Sequence, residues 1–113
     1  MAKVAFCFPG QGSQLVGMGR EMADAFPSAR AVYDTASAEL GYDLAEVCFA
    51  GPLERLSSTD VTQPALIATS LACLAAVRES GFDADFVVGH SVGEYAALAA
   101  ADAIDVREAV MLV

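Results

Sequence analysis

The sequence predicts an α/β protein, rich in helix, with a parallel sheet of which about two strands are present. Two short apolar runs carry that expectation, residues 4–8 and residues 85–90, each followed by a glycine-containing turn. Several helical patterns separate the two runs, as parallel strands require. Apolar residues make up 56% of the 113 positions. That exceeds the usual range of about 45–50% and suits strands and helices that are mostly covered.

Residues 4–8 read as a buried strand ended by Pro9-Gly10. Residues 9–19 form a glycine-rich loop, and residues 20–26 a short helix stopped near Pro27. A second helix starts at Pro27-Ser28 and runs through Leu40, with Gly41 at its C′ position. Its Ala29, Val32, Tyr33, Ala36 and Leu40 recur close to every 3.6 residues. Asp43 is suited to cap a helical turn through Cys48, and Gly51-Pro52 leads into another turn over residues 53–56.

Ser57-Ser58-Thr59-Asp60 reads as a polar break, and Pro64 as part of the first turn of a long helix ending near Ser80 and closed by Gly81. That helix is apolar nearly all round, through Leu66, Ile67, Leu71, Leu74 and Val77, and belongs in the middle of the molecule. Residues 85–90 are the second strand. The helix after it runs to about Ala101, and Asp105 caps a last helix extending to Val113. Both strands are expected to be buried on each face, and two strands alone do not make a stable parallel sheet. Residues 1–113 are therefore expected to be an incomplete piece of a larger catalytic domain.

The formal net charge of −9 disfavours nucleic acid and anionic membranes, both of which need basic patches. No apolar run reaches the roughly 18 residues of a membrane span, and no three-part signal peptide is visible. Cys7, Cys48 and Cys73 stand singly in apolar surroundings. They read as small buried hydrophobes of a reducing cytoplasm, and no metal site is expected.

Three segments carry chemistry. Gly89-His90-Ser91-Val92-Gly93 lies between a strand and a helix, the setting of a nucleophile elbow that exposes a serine hydroxyl at the end of a sheet strand. Ser91 there needs a general base. His90 is the only histidine, but adjacent side chains at a strand end point apart, so it is better suited to shaping the elbow or lining the pocket. Phe8-Pro9-Gly10-Gln11-Gly12-Ser13-Gln14 is a second glycine-rich loop after a strand. It has neither a third glycine, Leu15 standing there, nor a Gly-Lys-Ser/Thr, so a phosphate loop is disfavoured. A plain turn is one reading. The other places the N–H of Gln11 beside that of Val92 as an oxyanion hole. In Thr62-Gln63-Pro64-Ala65, Gln63 is either a helix-start residue or a donor into the pocket.

Together these three motifs, in this order and spacing, resemble the malonyl-CoA:acyl carrier protein transacylase family of fatty-acid and polyketide synthesis, over about its first third. The resemblance implies an α/β-hydrolase-like acyltransferase subdomain. It also implies that Ser91 takes a malonyl group from malonyl-CoA as an ester, with Gln11 and Val92 supplying the oxyanion hole. The phosphopantetheine thiol of acyl carrier protein then receives the group. It implies no bound cofactor and a monomeric, cytoplasmic full-length enzyme. The family's histidine base and malonyl-binding arginine match no residue here, so this chain alone is expected to be inactive. Acyl carrier proteins are acidic and so is this chain, so the docking face is expected elsewhere. Val92 resembles malonyl-type sites. A serine esterase or thioesterase of similar architecture, and a non-catalytic interaction piece, remain the alternatives.

Overall fold

Five helices separate the first strand from the second in the computed structural model, which describes residues 2–113. The order is β1 (Ala5–Phe8), α1 (Arg20–Ala25), α2 (Pro27–Leu40), α3 (Leu44–Ala50), α4 (Leu53–Leu56), α5 (Thr59–Glu79), β2 (Phe86–Gly89), α6 (Gly93–Ala100) and α7 (Val106–Met111). The strands pair in parallel, Ala5 opposite Phe86 and Phe8 opposite Gly89. The ladder continues past both ends, with the Val4 carbonyl accepting from Asp85 N–H at 2.8 Å and the Phe8 carbonyl from His90 N–H at 3.1 Å. Parallel pairing sends the loops after β1 and β2 out at the same edge, and this sets up the site.

The core lies among the helices. The apolar face of α2 packs on α5, and Ala29, Tyr33 and Ala36 of the one share a buried core with Leu66, Ile67 and Leu71 of the other. Tyr33 is fully buried, edge-on to Phe49 at 5.1 Å between ring centroids, and its hydroxyl shares a hydrogen bond with Thr69 Oγ1 at 2.7 Å. Burial pushes that hydroxyl well above the ordinary tyrosine range. The buried thiol of Cys48 is likewise pushed up to about 11. Asp43 caps α3 by accepting from Glu46 N–H at 3.1 Å, and Asp105 with Glu108 forms a reciprocal capping box on α7. An ion pair of 2.5 Å between Arg107 and Glu39 ties α7 to α2.

Several expectations are corrected. The long helix α5 begins at Thr59, not in the turn holding Pro64, because the Ser58 carbonyl already accepts from Val61 and Thr62 N–H at 2.9 and 2.7 Å. Pro64 therefore sits inside the helix, where it removes one backbone donor without ending it. By length and composition α5 is also apolar enough to cross a membrane, since its Thr69, Ser70 and Cys73 interrupt the apolar run without adding charge. Packed against α2, α6 and α7, it is a core helix, central as expected. Helix α7 ends at Met111, short of Val113.

The strands are covered on one face only. Phe6, Phe8 and Val87 turn toward the helices, while Ala5, Cys7, Phe86 and Val88 share the opposite face, with Phe86 58% and Val88 52% exposed. Among the described residues no element lies over that second face. Cys7 is accordingly exposed and Cys73 partly so, leaving only Cys48 buried as expected.

Candidate active site

Ser91 stands at the step from β2 to α6 with φ of 56°, in the left-handed region that non-glycine residues rarely enter. The hydrogen bonds around it leave little alternative. His90 N–H is still in the sheet ladder, yet Gly93 N–H already bonds the His90 carbonyl at 3.0 Å and Glu94 N–H the Ser91 carbonyl at 3.0 Å. The chain must change from strand to helix within about two residues, and Ser91 takes the strain while its side chain stays exposed. The helix passes so close to β1 that a Cβ on Gly93 would lie 2.8 Å from the Pro9 carbonyl oxygen, and nearer still to that of Phe8.

The loop after β1 closes over this elbow. Ser13 N–H bonds the Gly10 carbonyl at 3.3 Å, making a tight turn with Gln11 and Gly12 at its tip. Gly10 abuts the elbow directly: a Cβ there would lie 2.7 Å from the His90 carbonyl oxygen and 3.3 Å from the Ser91 Cβ. Among the described residues no acceptor takes the backbone N–H of Gln11 or that of Val92. Val92 is the N-cap of α6, so its N–H lies at the positive end of that helix. The Gln11 side chain donates to Thr59 Oγ1 at 3.3 Å, at the start of α5.

Gln63, the half-buried fifth residue of α5, shares a depression of about 440 Å³ with Ser91, Val92, Glu94, Tyr95 and Leu112. His90 does not line it. The His90 ring lies over Gly10, 2.9 Å from where a Cβ would be, and among the described residues makes no hydrogen bond to the Ser91 hydroxyl. The fold thus gathers Ser91, Val92, Gln63 and the Gln11 loop, and leaves the imidazole to one side. Among the described residues no lysine or arginine lines the depression. Arg30 pairs with Asp34, Arg78 with Asp83 and Arg107 with Glu39, all at other surfaces.

Sequence reasoning missed Glu94 and Tyr95 as lining residues, although both fall in the first turn of the helix that starts beside Ser91. It also missed Ser57 and Thr59, which read only as a polar break yet tether the Gln14 and Gln11 side chains.

Known proteins are similar to this chain in sequence and in fold. The malonyl CoA-acyl carrier protein transacylase of Bacillus subtilis (strain 168) is 47% identical over 113 residues, which is 100% of this chain and 36% of that one. The crystal structure of an acyl carrier protein S-malonyltransferase from Vibrio cholerae superposes with a TM-score of 0.94 at 42% identity, over 99% of this chain and 37% of that one. A malonyl-transacylase solved in complex with its type II PKS acyl-carrier protein superposes with a TM-score of 0.92 at 44% identity, over 98% of this chain and 36% of that one. The chain spans little more than a third of the length of these relatives. The acyl transferase domain family matches residues 5–113, almost the whole of the chain that carries the elbow and its facing loop. With the strained serine, the parallel register and this match in agreement, the chain belongs to the acyl transferase domain family.

Proposed function

We propose that this chain is the nucleophile-bearing portion of a malonyl-CoA:acyl carrier protein transacylase. The observation that carries the reading is Ser91, strained and exposed at the head of α6, faced by a loop whose Gln11 N–H is unpaired. Ser91 Oγ attacks the thioester carbonyl of malonyl-CoA, giving up its proton to a general base. The carbonyl oxygen gains charge, which the N–H groups of Gln11 and Val92 stabilise. Collapse of the adduct expels coenzyme A as its thiol and leaves a malonyl ester on Ser91. The phosphopantetheine thiol of acyl carrier protein then attacks that ester, Ser91 recovers its proton, and the malonyl group leaves on the carrier.

Gln63 lines the same depression as Ser91, which supports a role for its amide in hydrogen-bonding the bound acyl group. His90, whose ring packs over Gly10, shapes the elbow and is not the base. We assign the base, the arginine that pairs with the malonyl carboxylate and the carrier-docking face to the part of the longer relatives that this chain does not span. Residues 1–113 alone are then inactive. The relatives' names and the solved carrier complex support malonyl-CoA and acyl carrier protein as the substrates. A monomeric enzyme of the cytoplasm, with its three cysteines free, fits the same reading.

The test is incubation of the full-length protein with malonyl-CoA and mass spectrometry of the Ser91 peptide. A malonyl ester on Ser91, discharged to carrier thiol faster than to water, is expected. Absence of the ester, or its faster loss to water as in an esterase, overturns the transferase.

A further inference from the structure

The Gln11 N–H can serve as an oxyanion donor only if its loop is held still, and the loop lies exposed, with Gln11, Gly12 and Ser13 all open to solvent. Gly12 has φ of 107°, with nothing within 4 Å of where a Cβ would be. Glycine is needed there for the turn's backbone geometry, not for want of space. A flexible, glycine-containing turn has many other conformations, so something outside its backbone must select this one.

Gln14 does so from within the same segment. It is half-buried where its neighbours are exposed, and its Oε1 accepts from the Gly12 N–H at 2.8 Å. Its Nε2 reaches Ser57 Oγ at the longer distance of 3.5 Å, beside the start of α5. The Gln11 side chain makes a parallel attachment to Thr59 Oγ1. One amide thus closes the turn on itself and ties it to the junction between α4 and α5. The Gln11 N–H shares its peptide unit with the Gly10 carbonyl, which Ser13 N–H holds, and the Gly12 N–H lies in the next unit; with both units held, the φ and ψ of Gln11 between them are restrained and its N–H keeps its direction.

We propose that Gln14 is a positioning residue for the Gln11 oxyanion donor, acting through the Gly12 N–H and not by touching substrate. The inference rests on the acyl-transfer reading above. Loss of an oxyanion donor costs about 100- to 1000-fold, and misplacement by about 1 Å about 100-fold. A loosened loop that still visits the right position should lose less.

The test uses the full-length protein. Gln14→Met keeps side-chain length and removes the acceptor. Burst-phase acylation of Ser91 by malonyl-CoA should slow by about 10- to 100-fold, while the Kd for malonyl-CoA, measured on a Ser91→Ala background, stays within about twofold. Ser57→Ala, at the exposed C-cap of α4, removes the partner of the Gln14 Nε2 and should slow acylation by several-fold with the same unchanged Kd. It stands in as the deciding variant should Gln14→Met not fold. Acylation within about twofold of wild type in the deciding variant overturns the proposal. So does a slowing matched by equal weakening of Kd, since the loop would then hold substrate and not a donor. If wild type itself forms no malonyl ester on Ser91, it is the acyl-transfer reading that fails. If wild type and Gln14→Met acylate alike, only the positioning role fails.

Discussion

Equally apolar residues meet opposite fates in two regions of this molecule. In the helical layer Tyr33, Leu44, Cys48 and Leu56 are 0% exposed and Ile67 is 1% exposed. On the outer face of the sheet Phe86 and Val88 remain more than half exposed, and beside the edge of β1 runs a groove of about 400 Å³ lined by Phe6, Cys7, Leu66, Cys73 and Val77. The helices find their cover within the chain. The strands find it on one face only. The nucleophile lies on the seam: α6 packs on α5 on one side and on both strands on the other, and Ser91 sits at its head. The seam's geometry therefore depends on packing against both layers, with the strands also setting its register.

The largest effect that tests this division is in the core. Ile67→Ala removes a fully buried side chain of α5, the helix that packs on α2, and should cost about 2–5 kcal/mol. Urea unfolding followed by helical circular dichroism measures it. A cost below about 1 kcal/mol would mean the helical layer packs no better than the open sheet, and the contrast would break.

Next comes pH. Burial raises the Cys48 thiol from about 9 to about 11, and raises Tyr33 and Cys73 in the same direction. With the folded value above the unfolded one, the unfolded chain loses its proton first as pH rises. This contribution is full below about pH 9 and is lost as pH climbs through about 11, amounting for Cys48 to on the order of 3 kcal/mol. The urea midpoint should be flat from pH 7 to about pH 8.5 and then fall. Iodoacetamide should modify exposed Cys7 first, Cys73 more slowly and Cys48 only on unfolding. Equal labelling of Cys48 and Cys7 in the folded chain would erase the contrast.

Local signals were the ones legible in the sequence. Asp43 and Asp105 announce their helices because a cap bonds within three residues. Ser91 is legible because a strand run, a glycine-flanked serine and a small-residue helix leave one way to turn. Pro64 misled because its local rule gives way once the Ser58 carbonyl has started the helix upstream. The tethers from Gln11 to Thr59 and from Gln14 to Ser57 join residues 48 and 43 positions apart, beyond the reach of any local pattern. The open sheet face was misread for a related reason. An apolar run states a strand's wish for cover, while the cover itself comes from elements far along the chain. Ala5, Cys7, Phe86 and Val88 look no different in sequence from Phe6, Phe8 and Val87.

The smallest expected effect probes that last point most sharply. Val88→Thr is nearly isosteric and lies on the open face at 52% exposure, where the new hydroxyl stays hydrated and the β-branch still suits a strand. In the 113-residue chain it should cost less than about 0.5 kcal/mol by urea unfolding. The relatives are almost three times as long, and in a protein of their length the same face has chain available to cover it. A covered hydroxyl at this position, left without a partner, would cost about 1–3 kcal/mol. A difference of that size between the two contexts would show that the exposed apolar face is an unfilled contact. Equal small costs in both would show instead that the sheet keeps one wet face and that the elbow needs only the packing on the inner face.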